Sequence, residues 1–250
     1  MNYFTFYSEI PDLYQMIQHP SDFSLELLEY LMGFISEERK DRFDKVLANR
    51  TRHVTVAMEN STDGHNTSAV MRSCECFGIQ DIHVIENGSY IKPAKNVTNG
   101  AYKWLTINRY NETENNTLAC IQSLRKKGYR IVATTPHIFD KAVHELDISK
   151  PVALFFGQER DGISEILMQE ADEFAIIPMQ GFSESFNVSV AASIMLYDLT
   201  QRLRNDKSSN WELTEKEIIE LKKDWTLKSI FRPELLIKRF EEEKQQSQKR

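Results

Sequence analysis

The sequence predicts an α/β protein, with a mainly parallel sheet, helices on both of its faces and further helices flanking it at the two ends of the chain. Short apolar runs recur as VTVAM (54–58), IHVI (82–85), RIVATT (130–135), VALFF (152–156) and FAIIP (174–178). Several are continuous rather than alternating, which suits strands buried on both faces of a parallel sheet. Helical patterns at about 65–77, 116–127, 163–171 and 187–204 are interleaved with them. Such β/α alternation is the signature of parallel crossover units.

The ends read differently. SLELLEYLMGFI (24–35) and SEERKDRFDKVLANR (36–50) have helical patterns. Ser36 stands where an N-cap belongs, and Glu37 and Glu38 suit the positive end of a helix. Two more helices follow the core, TEKEIIELKKDWTLKSI (214–230) and RPELLIKRFEEE (232–243). Pro233 falls in the first turn of the second, where its missing N–H is harmless. The chain divides into an acidic helical extension over 1–35, a body over 36–230, and a C-terminal helix with a frayed tail over 231–250.

Within the body, Gly78 reads as the C-cap of helix 65–77. Val188, Ala192, Met195, Leu199 and Leu203 step by four and three, so the helix from 187 has one apolar face. Ser185 or Asn187 caps it, and Ala191 and Ala192 permit close packing against it.

Composition narrows the class. With 41% hydrophobic and 27% charged residues, the 250-residue chain is ordinary for a globular protein and long enough to bury a core without staples. No apolar run approaches the ~18 residues of a membrane span. The start, MNYFTFYSEIPDLYQM, lacks the basic and apolar regions of a signal peptide, so a cytoplasmic protein is expected. Three cysteines do not make a disulfide framework. Cys74 and Cys76, two apart on a helix, point in nearly opposite directions, and no metal is expected.

The net charge of −6 disfavours nucleic acid only on average. Residues 1–35 hold five acids and no lysine or arginine, so the rest is nearly neutral. Basic clusters at Arg39/Lys40/Arg42/Lys45/Arg50/Arg52, at Arg125/Lys126/Lys127/Arg130 and at Arg202/Arg204 leave phosphate contacts open.

Three segments carry possible chemistry. ENSTDGHNTSAVMRSCECFGI (59–79) follows a strand and opens a helix, where α/β proteins place ligands. Its Asn66 and Arg72 are either a helix cap and a surface arginine or site residues. VALFFGQERDGIS (152–164) ends a buried strand at Gly157, which would let a ligand approach the backbone. There Glu159 is an acid, a hydroxyl acceptor or a turn residue. The segment lacks the Lys-Ser/Thr of a P-loop, and no G-x-G-x-x-G of a nicotinamide-dependent oxidoreductase occurs. GFSESFNVSVAA (181–192) crowds more polar groups at a helix start than one cap requires.

Together and in order, these segments are N-x-x-x-x-x-R, strand-G-x-E-x-x-G and P-M-x-G-x-x-x-S-x-N-V-S-V-A-A. This order resembles the SpoU family of RNA 2′-O-methyltransferases, within the SPOUT class, over about residues 36–227. Lys103-Trp104, the Ala133-Thr134 strand end and Trp225 extend the likeness, which is strongest to the tRNA guanosine-18 2′-O-methyltransferases. The resemblance implies an α/β-knot fold in which a C-terminal trefoil knot forms the pocket for S-adenosyl-L-methionine. It implies that Thr134, Gly157, Ile177 and Phe186 bind this methyl donor and that Arg72, Asn66, Glu159, Ser185 and Asn187 serve catalysis. It further implies an RNA substrate, most plainly the D-loop guanosine of tRNA, and a homodimer. The donor brings its own positive charge, so no metal is required. A guanidinium is ordinarily protonated, so Arg72 is expected to hold a phosphate and offset developing charge rather than act as a simple base. The alternatives are the same reaction on ribosomal RNA and a non-catalytic RNA-binding relative. Two residues depart from the family pattern: Phe186 stands where leucine is usual, and Glu184 where glutamine is common.

Overall fold

The computed structural model describes residues 23–88, 98–138 and 141–248. Most of the acidic extension (1–22) and the end of the tail (249–250) lie outside the described residues. The chain forms two compact units. One spans Asn49–Glu212; the other joins the described residues up to Ala48 with those from Leu213 onward.

In chain order, α1 (Leu25–Met32) and α2 (Glu37–Leu47) precede β1 (Val54–Glu59), α3 (Gly64–Cys76), β2 (Asp81–Ile85) and β3 (Thr106–Tyr110). There follow α4 (Asn116–Lys126), β4 (Arg130–Thr134), β5 (Lys141–Ala142), β6 (Val152–Phe156), α5 (Glu165–Glu170) and β7 (Glu173–Ile176). The chain closes with α6 (Val188–Asn205), α7 (Glu215–Ser229) and α8 (Pro233–Gln248).

The unit of the chain ends is helical. Ser24 and Ser36 cap α1 and α2, their hydroxyls accepting the N–H of Leu27 and Arg39. Thr214 and Glu217 form a reciprocal capping box on α7. Leu27, Leu28 and Leu31 of α1 share an apolar cluster with Leu227 of α7 and Ile237 of α8. Phe43 of α2 meets Trp225 of α7 edge-on at 5.5 Å between ring centroids.

The unit of Asn49–Glu212 is a seven-stranded sheet in the order β3-β2-β1-β6-β4-β7-β5, parallel throughout. Strands β1, β2 and β6 are buried along their whole length, as their continuous apolar runs predict. The pleat sends alternate side chains to opposite faces. Val54, Val56, Met58, Leu154 and Phe156 pack against Val70, Met71 and Cys74 of α3 and against Ala192, Met195, Leu196, Leu199 and Leu203 of α6. Ala57, Ala133, Ala153 and Phe155 face Cys120, Ile121 and Leu124 of α4 and Leu167 of α5.

Several local expectations are corrected. Strands β3 and β5 went unforeseen, because β3 is half-buried at every residue and β5 has only two. Strand β7 ends at Ile176, so Ile177 and Pro178 belong to the following loop. Asn66 is not the cap of α3; Asp63 is, its Oδ1 accepting the N–H of His65 at 2.7 Å. Gly78 follows the end of α3 at φ +78°, and a Cβ there would stand 2.3 Å from the Asn49 carbonyl oxygen.

Several arginines of the basic clusters are engaged within the fold. Arg50 is 1% exposed and donates to the Ile79 carbonyl and to Glu75. Arg125 pairs with Glu170 at 2.6 Å and Arg130 with Glu173 at 3.1 Å. Arg202 pairs with Asp198 and donates to the carbonyls of Val143 and Leu146. Arg204 donates to the Phe77 carbonyl. These five guanidiniums hold acceptors of the fold itself, whereas Arg39, Arg42, Lys126 and Lys127 of the same clusters are exposed.

Candidate active site at the carboxyl edge of the sheet

Register explains why segments far apart in sequence meet. Met58 of β1 pairs with Phe156 of β6, Phe156 with Thr134 of β4, and Thr134 with Ala175 of β7. All four strands run parallel, so the loops beyond these positions leave the same edge side by side. Neighbouring strands are only about 4.8 Å apart, so residues from four loops fall within reach of one another. Ligands of open α/β sheets bind outside such carboxyl ends.

A cavity of about 590 Å³ opens there. Thr134, Gly157, Ile177 and Phe186 all line it, as do Glu159, Ser185 and Asn187. Its walls also include Arg160, Asp161, Met179 and Glu184. Thr134 is fixed by its hydroxyl, which donates to the Phe155 carbonyl at 2.9 Å. Gly157 is held to glycine by its own loop rather than by a ligand alone. Gln158 and Gly162 exchange two backbone hydrogen bonds, at 2.8 and 2.9 Å. A Cβ on residue 157 would lie 2.2 Å from the Gly162 carbonyl oxygen.

The far end of this loop is tied down by a buried carboxylate. Glu59, the last residue of β1, accepts from the Ser164 N–H at 3.0 Å and the Ser164 hydroxyl at 2.7 Å. It also accepts from the Thr117 hydroxyl at 2.6 Å. Ser164 in turn caps α5.

The polar groups form a chain across the rim. Asn187 caps α6, its Oδ1 accepting from the N–H and hydroxyl of Ser189 at 2.9 and 2.6 Å. Its amide nitrogen donates to Asn66 Oδ1 at 3.1 Å. The Asn66 amide nitrogen donates to Glu159 Oε1 at 3.2 Å. Asn66 thus joins the site through hydrogen bonds, although it is not among the residues lining the cavity.

Two expected residues stand apart from this chain. Ser185 lines the cavity but makes no hydrogen bond among the described residues. Arg72 is exposed on α3 and forms neither hydrogen bond nor ion pair among the described residues. Helical geometry accounts for its place: six residues carry it about 240° around the axis from Asn66. The neighbouring Val70, Met71 and Cys74 take the inward positions. The structure therefore does not bring Arg72 into contact with Asn66, Glu159, Ser185 or Asn187.

Sequence reasoning missed Ser61 and Thr62, which contact the Glu159 carboxylate, and Thr67, which bonds Ser61 from behind. Polar residues in a β–α turn look like ordinary loop and cap residues, and only the fold shows what they face. Among the described residues, no group of three His, Cys, Asp or Glu side chains is placed to hold a metal ion. No helix among them is long and apolar enough to cross a membrane.

Comparison with known proteins places this geometry. Residues 53–197 match the SpoU rRNA Methylase family. The chain is 37% identical to a tRNA (guanosine(18)-2'-O)-methyltransferase of Borreliella burgdorferi, over 77% of this chain and 86% of that protein. It is 32% identical to the enzyme of the same name from Aquifex aeolicus, over 82% and 95%. The crystal structure of the A. aeolicus TrmH/SpoU tRNA modifying enzyme superposes with a TM-score of 0.70 at 29% identity, over 78% of this chain and 98% of that one. An AdoMet-bound rRNA methyltransferase from Sinorhizobium meliloti superposes at 0.55 with 26% identity, over 62% and 58%. With its α/β fold, its parallel sheet and a matching segment that includes every site residue named above, the chain belongs to the SpoU methylase family.

Proposed function

We propose that this protein transfers a methyl group from S-adenosyl-L-methionine to a ribose 2′-hydroxyl of RNA, and that its substrate is the D-loop guanosine of tRNA, guanosine 18. The observation that carries the reading is the convergence of Glu159, Asn66 and Asn187 on the rim of a cavity lined by Thr134, Gly157, Ile177 and Phe186. The relatives named for that tRNA position support the substrate.

The methyl donor fits the cavity in size and chemistry. About 590 Å³ is in the range of small-molecule sites. Ile177 and Phe186 offer apolar surface for an adenine, and Glu159, Asp161 and Glu184 offer negative charge for a cationic ligand. When bound, the donor supplies an electrophilic methyl group. Arg72 binds a phosphate beside the target ribose and stabilises the charge that develops as the 2′-oxygen loses its proton. Among the described residues it has no internal partner, which leaves its donors available for this task. Asn66, Glu159 and Asn187 fix the rim, and Ser185 offers a further hydroxyl toward the reacting groups. Catalysis then comes largely from orientation, for which geometry held by stiff elements is essential.

Three further features belong to the same reading. The segment from β6 through α6 forms a trefoil knot; in support, β6 pairs between β1 and β4 although it follows both in the chain. The protein works as a homodimer through α6, whose Val190, Ile194 and Tyr197 are 45%, 36% and 58% exposed along one side. It acts on RNA in the cytoplasm. A second reading, the same reaction on ribosomal RNA, draws on the likeness to the S. meliloti enzyme.

The test is methyl transfer from labelled donor to tRNA and rRNA transcripts, followed by mapping of the modified ribose. Label at guanosine 18 of tRNA is expected. Label on rRNA alone overturns the substrate, and no label on either overturns the activity.

A further inference from the structure

We infer that Ser61, which no motif marks, is the positioning residue that aims the Glu159 carboxylate and so anchors the acceptor end of the hydrogen-bond chain across the rim. The kinetic part of its test rests on the methyltransferase reading above; the spectroscopic part does not.

The chain can run in only one direction. Asn187 Oδ1 is occupied by the α6 cap, so its amide nitrogen points outward and donates to Asn66 Oδ1. Asn66 must then present its own amide nitrogen to the next member. Two carboxamides ordered this way must end on an acceptor, which the Glu159 carboxylate supplies. Glu159 sits on an exposed loop, however, and its side chain needs a fixed partner to stay in place.

Ser61 supplies that partner. It is 1% exposed, and its hydroxyl lies 3.0 Å from Glu159 Oε1, the same oxygen that Asn66 contacts. The Thr67 hydroxyl, fully buried behind it, donates to Ser61 Oγ at 3.0 Å. That fills an acceptor site on Ser61 and leaves its proton for the carboxylate. The competing Asp63 carbonyl is farther away, at 3.4 Å. Thr62 reaches Glu159 Oε2 through its N–H and hydroxyl only at 3.4 Å each. Ser61 is thus the buried, short-range donor to Glu159. It leaves the same end of β1 whose Glu59 anchors Ser164 at the far end of the Glu159 loop. One strand end therefore fixes both the middle and the end of that loop.

The test is a double-variant cycle of Ser61→Ala with Glu159→Gln, alone and combined. Loss of a hydrogen bond to a charged group should lower kcat about tenfold in Ser61→Ala. KM for the methyl donor and Tm should stay close to the parent values, and Ser61→Ala should cause little further loss in the Glu159→Gln background. A loss that multiplies fully in the double variant, one that merely follows a fall in Tm, or an unchanged kcat overturns the proposal. Side-chain amide NMR gives a readout free of turnover: the Asn66 NH2 resonances should move toward free-amide positions in Ser61→Ala, and unmoved resonances overturn it. Should Ser61→Ala not fold, Thr67→Val must shift the same resonances, and their constancy there also refutes the role. A parent protein that labels no RNA would sink the methyltransferase reading while the NMR result still decided this one.

Discussion

On the α4 side of the sheet, His83, Tyr110 and Cys120 come together in a group that could pass for a reactive site. His83 Nδ1 lies 3.2 Å from the Tyr110 hydroxyl, which also interacts with the Cys120 thiol. At the carboxyl edge, Asn66, Glu159 and Asn187 reach solvent instead. Burial separates the two regions. It drives the His83 pKa down to about 3, with the Lys127 charge adding to the effect. It lifts Tyr110 to about 12 and raises the Cys120 thiol as well. These groups stay neutral near pH 7 and serve packing. The lesson is that residue types placed together do not make a site; groups able to hold charge within reach of a ligand do.

The contrast can be broken most sharply at Arg72. Arg72→Ala should lower methyl transfer by about 10²–10³-fold, the usual scale for losing a charge-stabilising group. Donor binding measured by calorimetry should persist, because Arg72 does not line the cavity. Undiminished turnover would remove Arg72 from the chemistry.

A smaller effect tests the silent face. Because the folded pKa of His83 lies below the ordinary 6.5, the unfolded state takes up this proton first as pH falls. The stabilisation is complete above about 6.5 and is lost progressively toward pH 3. Between pH 7 and 5 this one group should cost about 2 kcal/mol of unfolding free energy. Denaturant titrations of His83→Phe at the two pH values should show a correspondingly weaker pH dependence. Equal dependence in parent and variant would mean that His83 is not held neutral.

The mildest probe needs no mutation. Cys76 is exposed, while Cys74 and Cys120 are buried, and burial pushes the Cys74 thiol up to about 12. A thiol reagent should modify one cysteine in the native protein and all three after denaturation. Rapid native labelling of Cys120 would show that the α4 face opens.

Much of this was legible early because it is local or periodic. The buried strands β1, β2 and β6 are continuous apolar runs, and the inward residues of α6 recur at helical spacing. Ser36 and Asn187 are recognisable caps. Strands β3 and β5 escaped because edge strands need little apolar surface. A sequence shows where the arginines of the basic clusters are, but not which carbonyls and carboxylates hold Arg50, Arg125, Arg130, Arg202 and Arg204.

By itself the sequence determined the α/β class, the burial pattern of the central strands, and three polar segments whose order marks the family. Those properties follow from the periodicity and chemistry of nearby residues. Only the tertiary structure decided that Glu159 meets Ser61 and Asn66, that Asn187 joins them from α6, and that Arg72 stands apart. Such contacts depend on the register Met58–Phe156–Thr134–Ala175, which sets which loops emerge side by side. Register is a property of pairing between distant strands, and no single segment carries it.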